Sequence, residues 1–406
     1  MSRLLILGTL LMIAQVSTPK CGESSTSPSA PGGSSPGSTP APTANVLSIS
    51  VNGGPTNNSL NQPFASVTIC VPGTSNCQII GGLLIDTGSV GLRILASAVT
   101  LPLPGQTGAG GAPIGECLAF VDGSVIWGPV RTADIRLAGE QANSAPIQLI
   151  GGDGFGTIPS GCSSQGTPQL TQSDFGSNGV LGVGMFRQDC GIRCTQAGSS
   201  NPGLYYACPT AATCQITPQP LGNQVGNPVS LFASDNNGVA LQLPAAQTGG
   251  QASMTGSLIF GIGTQSNNGL GAAKVFTVDA RANITTTFSG QSYNRTFLDS
   301  GSNAIFFLDS AATGLPNCTN STGFYCPTSV RAFSATQVGQ NGASSVVAFN
   351  AGNVDRVNNT FSVFGEATGS QSGTFDWGLP FFFGRTVFTA IEGAATPGGT
   401  GPYWAY

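Results

Sequence analysis

Two short segments in distant parts of the chain repeat one plan that few folds can use. Residues 81–95 read GGLLIDTGSVGLRIL and residues 296–308 read TFLDSGSNAIFFL. In each, an apolar run meets an aspartate, Asp86 or Asp299, then Thr or Ser, then Gly and Ser, and then a second apolar run. An ionised carboxylate inside an apolar strand is costly unless hydrogen bonds or a proton compensate it. One such turn is ordinary, because Asp and Gly are common turn formers. Two matched copies, each set in a strand-like segment, point to two halves that use the same acid for the same purpose. The competing reading is a pair of unrelated turn aspartates in an all-β fold.

A second feature follows each copy. NGVLGVG, residues 178–184, comes after Asp86, and FDWGLPFFFGRTVF, residues 375–388, comes after Asp299. Both are apolar segments interrupted at a backbone-special residue, read as Gly182 in the first and Pro380 in the second. The same order of parts twice suggests a duplicated lobe. The rest of the chain alternates short apolar bursts with Gly, Ser, Asn and Thr clusters, and glycine alone is 59 of 406 residues. That texture predicts many short strands and a mainly β architecture. Lobe one is expected over residues 46–265 and lobe two over 266–406.

Histidine is absent. Ser-His-Asp and Cys-His catalysis therefore lack their base, and histidine-ligated metal sites lack their ligand. The charged fraction is 7%, and beyond residue 20 the one lysine is Lys274. No basic patch for nucleic acid can be assembled from such a chain. A hydrolase built on Lys274 has no serine placed beside it in GAAKVFTVD. Carboxylates are the remaining candidates, and no cofactor or metal is expected.

Residues 1–20 combine Arg3 with an apolar stretch from Leu4 to Val16, the pattern of a signal peptide core. No later segment is long and apolar enough for a membrane helix, so an exported protein is expected. Residues 21–45 form a Ser/Pro/Gly-rich tether. Cys21 at its head resembles the anchor of a bacterial lipoprotein, although Lys20 stands where that motif wants a small residue. Simple secretion is the alternative. The ten other cysteines suit disulfides in an oxidising compartment. Cys70 with Cys77, Cys318 with Cys326, and Cys117 with Cys162 are the expected pairs. Cys190, Cys194, Cys208 and Cys214 are expected to pair among themselves in an order the spacing leaves open, with a zinc site as the rival use.

The two D-[TS]-G-S segments and their downstream partners resemble the pepsin-like aspartic peptidases, over roughly residues 46–406. More narrowly, they resemble a bacterial cell-envelope family with the same motifs. The resemblance implies a bilobal, mainly β fold with a cleft between two duplicated lobes. It places Asp86 and Asp299 as the catalytic pair at the base of that cleft. Gly88 and Gly301 would permit tight loops, and Thr87 and Ser300 would bond across to the opposite loop. Ser89 and Ser302 would hold the outer carboxylate oxygens. GSLIFGIG, residues 256–263, resembles the strand that closes the first lobe.

The same resemblance puts a cleft-covering hairpin, or flap, at residues 117–140, with its turn at Asp122, Gly123 and Ser124. Phe120 falls where the family has a tyrosine, and Trp127 is its candidate stand-in. Arg93 replaces the family's tryptophan, and Pro380 stands where a glycine is usual. The implied activity is peptide-bond hydrolysis by two carboxyls that share one proton and activate a water. A peptide or protein is the expected substrate and a monomer the expected state. The alternative is a catalytically inactive peptide- or glycan-binding protein of the same fold.

Overall fold

The computed structural model describes residues 44–406 apart from 153 and 211. The expected leader, Cys21 and nearly all of the tether lie outside the described residues.

Short strands dominate, and the described helices are single turns. The strands form a sixteen-stranded sheet and a seven-stranded sheet, with one further two-stranded ribbon. The first lobe is built on the strands Pro63–Cys70, Cys77–Asp86, Val90–Leu95, Ser124–Leu137, Glu140–Ile150 and Gly179–Val183. The second lobe uses the seven-stranded sheet. Its members include Ile284–Phe288, Gln291–Leu298, Ile305–Leu308, Arg331–Val338, Ser344–Ala351 and Gln371–Trp377.

The larger sheet does not stop with the first lobe. Val46–Val51 pairs along its whole length with Met254–Phe260, which pairs with Gly238–Gln242. Gly238–Gln242 then pairs with Thr386–Ala390, which pairs with Tyr403–Ala405. Strands from the carboxy-terminal end thus complete a sheet begun at the amino-terminal end.

Alternation of buried and exposed residues explains the outer strands. Ser344–Ala351 buries Val347, Phe349 and Ala351 and exposes the positions between them. Phe349 joins Phe288, Phe307, Phe333, Phe375 and Trp377 in the second lobe's core, where Phe307 meets Phe349 edge to face at 5.1 Å.

Among the described residues five disulfides are present. Cys70–Cys77, Cys117–Cys162 and Cys318–Cys326 pair as the sequence leads one to expect. The four cysteines left open pair locally, Cys190 with Cys194 and Cys208 with Cys214, so no zinc ligands remain there. Among the described residues no helix is long and apolar enough to cross a membrane.

Candidate active site

The two D-[TS]-G-S segments fold alike. Cys77–Asp86 ends at the first acid, the chain turns through Thr87, Gly88 and Ser89, and Val90–Leu95 returns. Gly179–Val183 lies between the two arms, parallel to one with Asp86 opposite Gly182 and antiparallel to the other with Gly91 opposite Gly182. In the second lobe Gln291–Leu298 leads to Asp299 and Ile305–Leu308 returns. Gln371–Trp377 fills the corresponding place, with Trp377 opposite both Leu298 and Ile305.

This register corrects one expectation. Continuing the parallel pairing puts Gly378, not Pro380, opposite Asp299 as Gly182 is opposite Asp86. A Cβ on Gly378 would stand 2.1 Å from the Ala304 carbonyl oxygen, so the position needs glycine. Pro380 lies in the buried turn Leu379–Phe382 that follows.

The loops meet across the lobes in a reciprocal lattice. The Thr87 N–H donates to Ser300 Oγ at 3.1 Å, and the Ser300 N–H donates to Thr87 Oγ1 at 3.0 Å. Each hydroxyl donates in turn to the opposite strand, Ser300 to the Ile85 carbonyl at 2.8 Å and Thr87 to the Leu298 carbonyl at 3.4 Å. Within each loop the carboxylate is held twice. Asp86 accepts from the Gly88 N–H at 2.7 Å and the Ser89 hydroxyl at 2.5 Å. Asp299 accepts from the Gly301 N–H at 2.8 Å and the Ser302 hydroxyl at 3.1 Å. The carboxyls of Asp86 and Asp299 face each other beside Gly301, where a Cβ would stand 2.8 Å from Asp86 Oδ1 and 3.2 Å from Asp299 Oδ1.

Each glycine leaves room for the other loop's acid. A Cβ on Gly88 would be 2.7 Å from Asp299 Cγ, and one on Gly301 would be 2.8 Å from Asp86 Cγ. Only hydrogen fits there.

Both acids are fully buried. Burial pushes the Asp86 carboxyl up, and its hydrogen bonds to Asp299, Ser89 and Gly88 oppose that shift. Burial pushes Asp299 well above the ordinary aspartate range, and the charges of Asp86 and Asp376 push it further. Two raised carboxyls acting on each other retain a proton where isolated carboxyls would hold none, and that proton belongs to the pair.

Asp376 is a third acid that the sequence reading passed over. It lies on Gln371–Trp377 between Phe297 and Phe306, with no exposed surface. Its signal was the same anomaly as that of Asp86, an acid inside an apolar strand, TFDWGLPFF. Burial pushes its carboxyl well up, and the Asp86 charge adds to this.

A fourth group of buried charges underlies the first loop. Arg93, fully buried, donates to Glu116 at 2.5 Å, to Asp189 at 2.8 Å and to the Val90 carbonyl at 2.5 Å. The Tyr205 hydroxyl donates to Asp189 at 2.8 Å and accepts the Val225 N–H at 2.7 Å. Burial and the adjacent Glu116 push Asp189 well up, against the pull of Arg93.

The cleft above the acids has a volume of about 520 Å³ and takes its walls from both lobes. Leu118, Val121 and Met185 contribute from the first, and Arg295, Phe297 and Thr374 from the second. The hairpin at residues 117–140 exists, with Ile114–Ala119 paired to Ser124–Leu137 and a turn closed by the Gly123 N–H on the Phe120 carbonyl. Asp122 at its tip accepts from the Ser124 N–H and hydroxyl.

The hairpin's aromatic residues are not where the resemblance implied. Phe120 packs inward against Phe175 at 6.2 Å, and Trp127 is buried against Tyr206 and Phe155 beside the Cys117–Cys162 disulfide, its N–H on the Phe155 carbonyl. Neither lines the cleft; Leu118 and Val121 do. The pairing of Cys117 with Trp127 turns that ring toward the disulfide and away from the cleft.

Among the described residues the one convergence of metal-ligand atoms is Cys318, Cys326 and Asp355, and those two sulfurs are bonded to each other. The three aspartates of the site do not converge in that way.

Four buried aspartates with raised pKa values make stability pH-dependent. Above the ordinary value of 3.8 the folded chain keeps protons that the unfolded chain has released. Stability therefore falls as pH rises from 3.8 through the higher folded-state values. Urea unfolding across this range is expected to show greatest stability on the acid side; a midpoint rising with pH would contradict the assignment.

The fold is shared with proteins of known structure. The crystal structure of an aspartic proteinase from Irpex lacteus is similar with a TM-score of 0.50 at 16% identity, covering 89% of this chain and 96% of that one. No curated protein matches. A family model described as "Protein of unknown function (DUF3443)" matches residues 41–406. The chain belongs to that family, and its mainly β, bilobal architecture is that of the pepsin-like aspartic proteinases.

Proposed function

We propose that the protein is an exported aspartic endopeptidase that hydrolyses peptide bonds with Asp86, Asp299 and one water. The observation that carries this reading is the pair of facing carboxyls at the base of a two-lobed cleft, each held by its own loop and spaced by the other's glycine. Ionised Asp86 takes a proton from a water bound between the carboxyls, and the water oxygen attacks the scissile carbonyl carbon. Asp299 gives its proton to the carbonyl oxygen, forming a neutral gem-diol. The proton on Asp86 then passes to the amide nitrogen and the C–N bond breaks. A diol hydroxyl proton returns to Asp299, leaving a carboxylic acid and an amine.

Thr87 and Ser300 lock the loops together, and Ser89 and Ser302 orient the outer oxygens. Export is supported by five disulfides. Residues 1–20 as leader, secretion or lipid attachment through Cys21, a lobe division near residue 265 and a monomeric state complete the proposal.

The inward placement of Phe120 favours a second reading, a cleft that binds peptide without cutting it. Incubation with a diverse peptide library from about pH 3 to pH 7 separates the two. Cleavage that is lost in Asp86→Asn and in Asp299→Asn supports the peptidase; binding without cleavage at every pH supports the binder.

Gly301→Ala tests the spacing directly. Its Cβ would press on Asp86 at 2.8 Å and drive the carboxyls apart. Turnover is expected to fall about 10²-fold, the cost of misplacing a reacting group by about 1 Å. Wild-type turnover in that variant would show that the close approach is unnecessary.

A further inference from the structure

Resting on the peptidase reading, we propose that Arg295, aided by Arg281, is a specificity-determining residue: the cleft selects peptides with an acidic side chain within about four residues of the bond to be cut. The inference starts from the signs of the charges that line the cleft. Asp299 belongs to the dyad, and Arg93 and Asp189 are buried and bonded to each other. Among the described residues, the charged groups that both line the cleft and are exposed are Arg281 and Arg295, from the second lobe. The first lobe's wall of Leu118, Val121, Met185 and Phe186 carries no charge. A chain of net charge −4 thus sets a positive wall above its dyad.

Strand geometry fixes where this charge stands. Arg295 and Phe297 are two residues apart on Gln291–Leu298 and both line the cleft, while Thr296 between them is fully buried. Four residues of extended chain put the Arg295 backbone roughly 13 Å from Asp299, the span of about four residues of a bound, extended peptide. The Arg295 carbonyl accepts from the hydroxyl of Thr374, which lines the cleft too, so the strand is anchored at this point. Among the described residues no carboxylate pairs with the Arg295 guanidinium.

Arg281 stands in the turn before Ile284–Phe288, and Ile284 lies opposite Thr296, which sets this turn at the end of the strand nearer Asp299. The acid of the turn, Asp279, is occupied within it. One oxygen accepts the Arg281 and Asn283 N–H groups at 2.8 Å, and the Asn283 amide donates to both oxygens at 3.1 and 3.2 Å. Ala282 holds a φ of 65°, a left-handed conformation that alanine keeps only when its surroundings dictate it. The turn is a fixed mount for a cation. A guanidinium's planar fork of N–H groups matches a carboxylate with two parallel hydrogen bonds. Such a pair is weak when open to water, but a peptide lying in the cleft covers it and strengthens it. The chemistry selected is Asp or Glu over the corresponding amide.

The test uses two pools of random decapeptides with blocked ends, identical except that one carries Glu wherever the other carries Gln. At about pH 5.5 a glutamate side chain is ionised. There kcat/KM for the Glu pool is expected to be about tenfold higher, the effect of one charge-assisted hydrogen bond. Mapping the cuts by mass spectrometry should place the acid at a fixed position within about four residues of the scissile bond. Arg295→Gln should lower the Glu-to-Gln ratio, and adding Arg281→Gln should abolish it. Arg295→Glu should invert the preference, so that a third pool carrying Lys is cut faster than the Glu pool. Raising salt from about 0.05 M to about 0.5 M should compress the wild-type ratio, which a packing role would not do. Equal cleavage of the Glu and Gln pools, or a ratio that Arg295→Gln leaves unchanged, overturns the proposal while the peptidase reading stands. If neither pool is cut, calorimetric binding of the same pools decides. A Glu preference lost in Arg295→Gln keeps the acidic-peptide site and rejects the peptidase; equal or absent binding rejects both.

Discussion

Asp299→Asn is expected to yield a folded protein whose peptide turnover is lower by at least about 10³-fold, near the upper range for loss of a general acid–base group. The asparagine carbonyl oxygen can still accept the Gly301 N–H that Asp299 Oδ1 accepts at 2.8 Å, and its amide nitrogen, in the place of Oδ2, can donate to the Ser302 hydroxyl in a reversed bond. Loop geometry and the Thr87–Ser300 lattice should persist. What is lost is the proton shared with Asp86, and with it the acid that protonates the scissile carbonyl. Asp86→Asn should be as damaging for the complementary reason, because it removes the group that takes the water's proton. The test is single-turnover cleavage of a peptide found with the wild-type protein, alongside thermal unfolding of each variant. Activity surviving either change would remove the dyad from the mechanism.

Arg93→Met should carry the largest stability cost, about 3–5 kcal/mol, the usual consequence of removing one partner from a buried ion cluster. Glu116 and Asp189 would be left facing each other without a cation, and Glu116 already has one unpaired buried oxygen. The loss should be greatest near neutral pH. It should shrink in acid, where Asp189, its carboxyl already pushed up by burial and by Glu116, takes a proton. Adding Glu116→Gln and Asp189→Asn to Arg93→Met should recover much of the loss, because neutral amides relieve the repulsion. Urea unfolding of the single and triple variants at two pH values measures this. An equal loss at both pH values would indicate a packing effect of the long side chain instead.

The duplicated acids were legible because both lobes solve the same problem with the same residues. A carboxylate set in an apolar strand must be capped, and the capping residues follow it directly in DTGS and DSGS. Gly182 was legible on the same grounds. Pro380 was chosen in place of Gly378 because spacing from the acid does not reveal strand register. Only the pairing of Leu298 with Trp377 does. Phe120 and Trp127 could not be placed because whether a hairpin ring points into the lobe or over the cleft depends on its packing partners, here Phe175 and the Cys117–Cys162 disulfide. Arg93 was read as a departure from a familiar pattern, while its partners Glu116 and Asp189 lie 23 and 96 residues away in sequence. Nothing local in the chain announces that meeting. Asp376 carried the same local signal as Asp86, but its neighbours WGL lack the hydroxyl that would mark a cap.

The sheet shared between the two ends of the molecule sets an order on its biogenesis. Thr386–Ala390 and Tyr403–Ala405 are inner members of a ladder whose other rungs, Val46–Val51 and Met254–Phe260, leave the ribosome far earlier. A nascent chain therefore carries an open edge beside Gly238–Gln242 until Thr386–Ala390 arrives. The first acid loop waits a shorter time, until Ser300 arrives to bond Thr87.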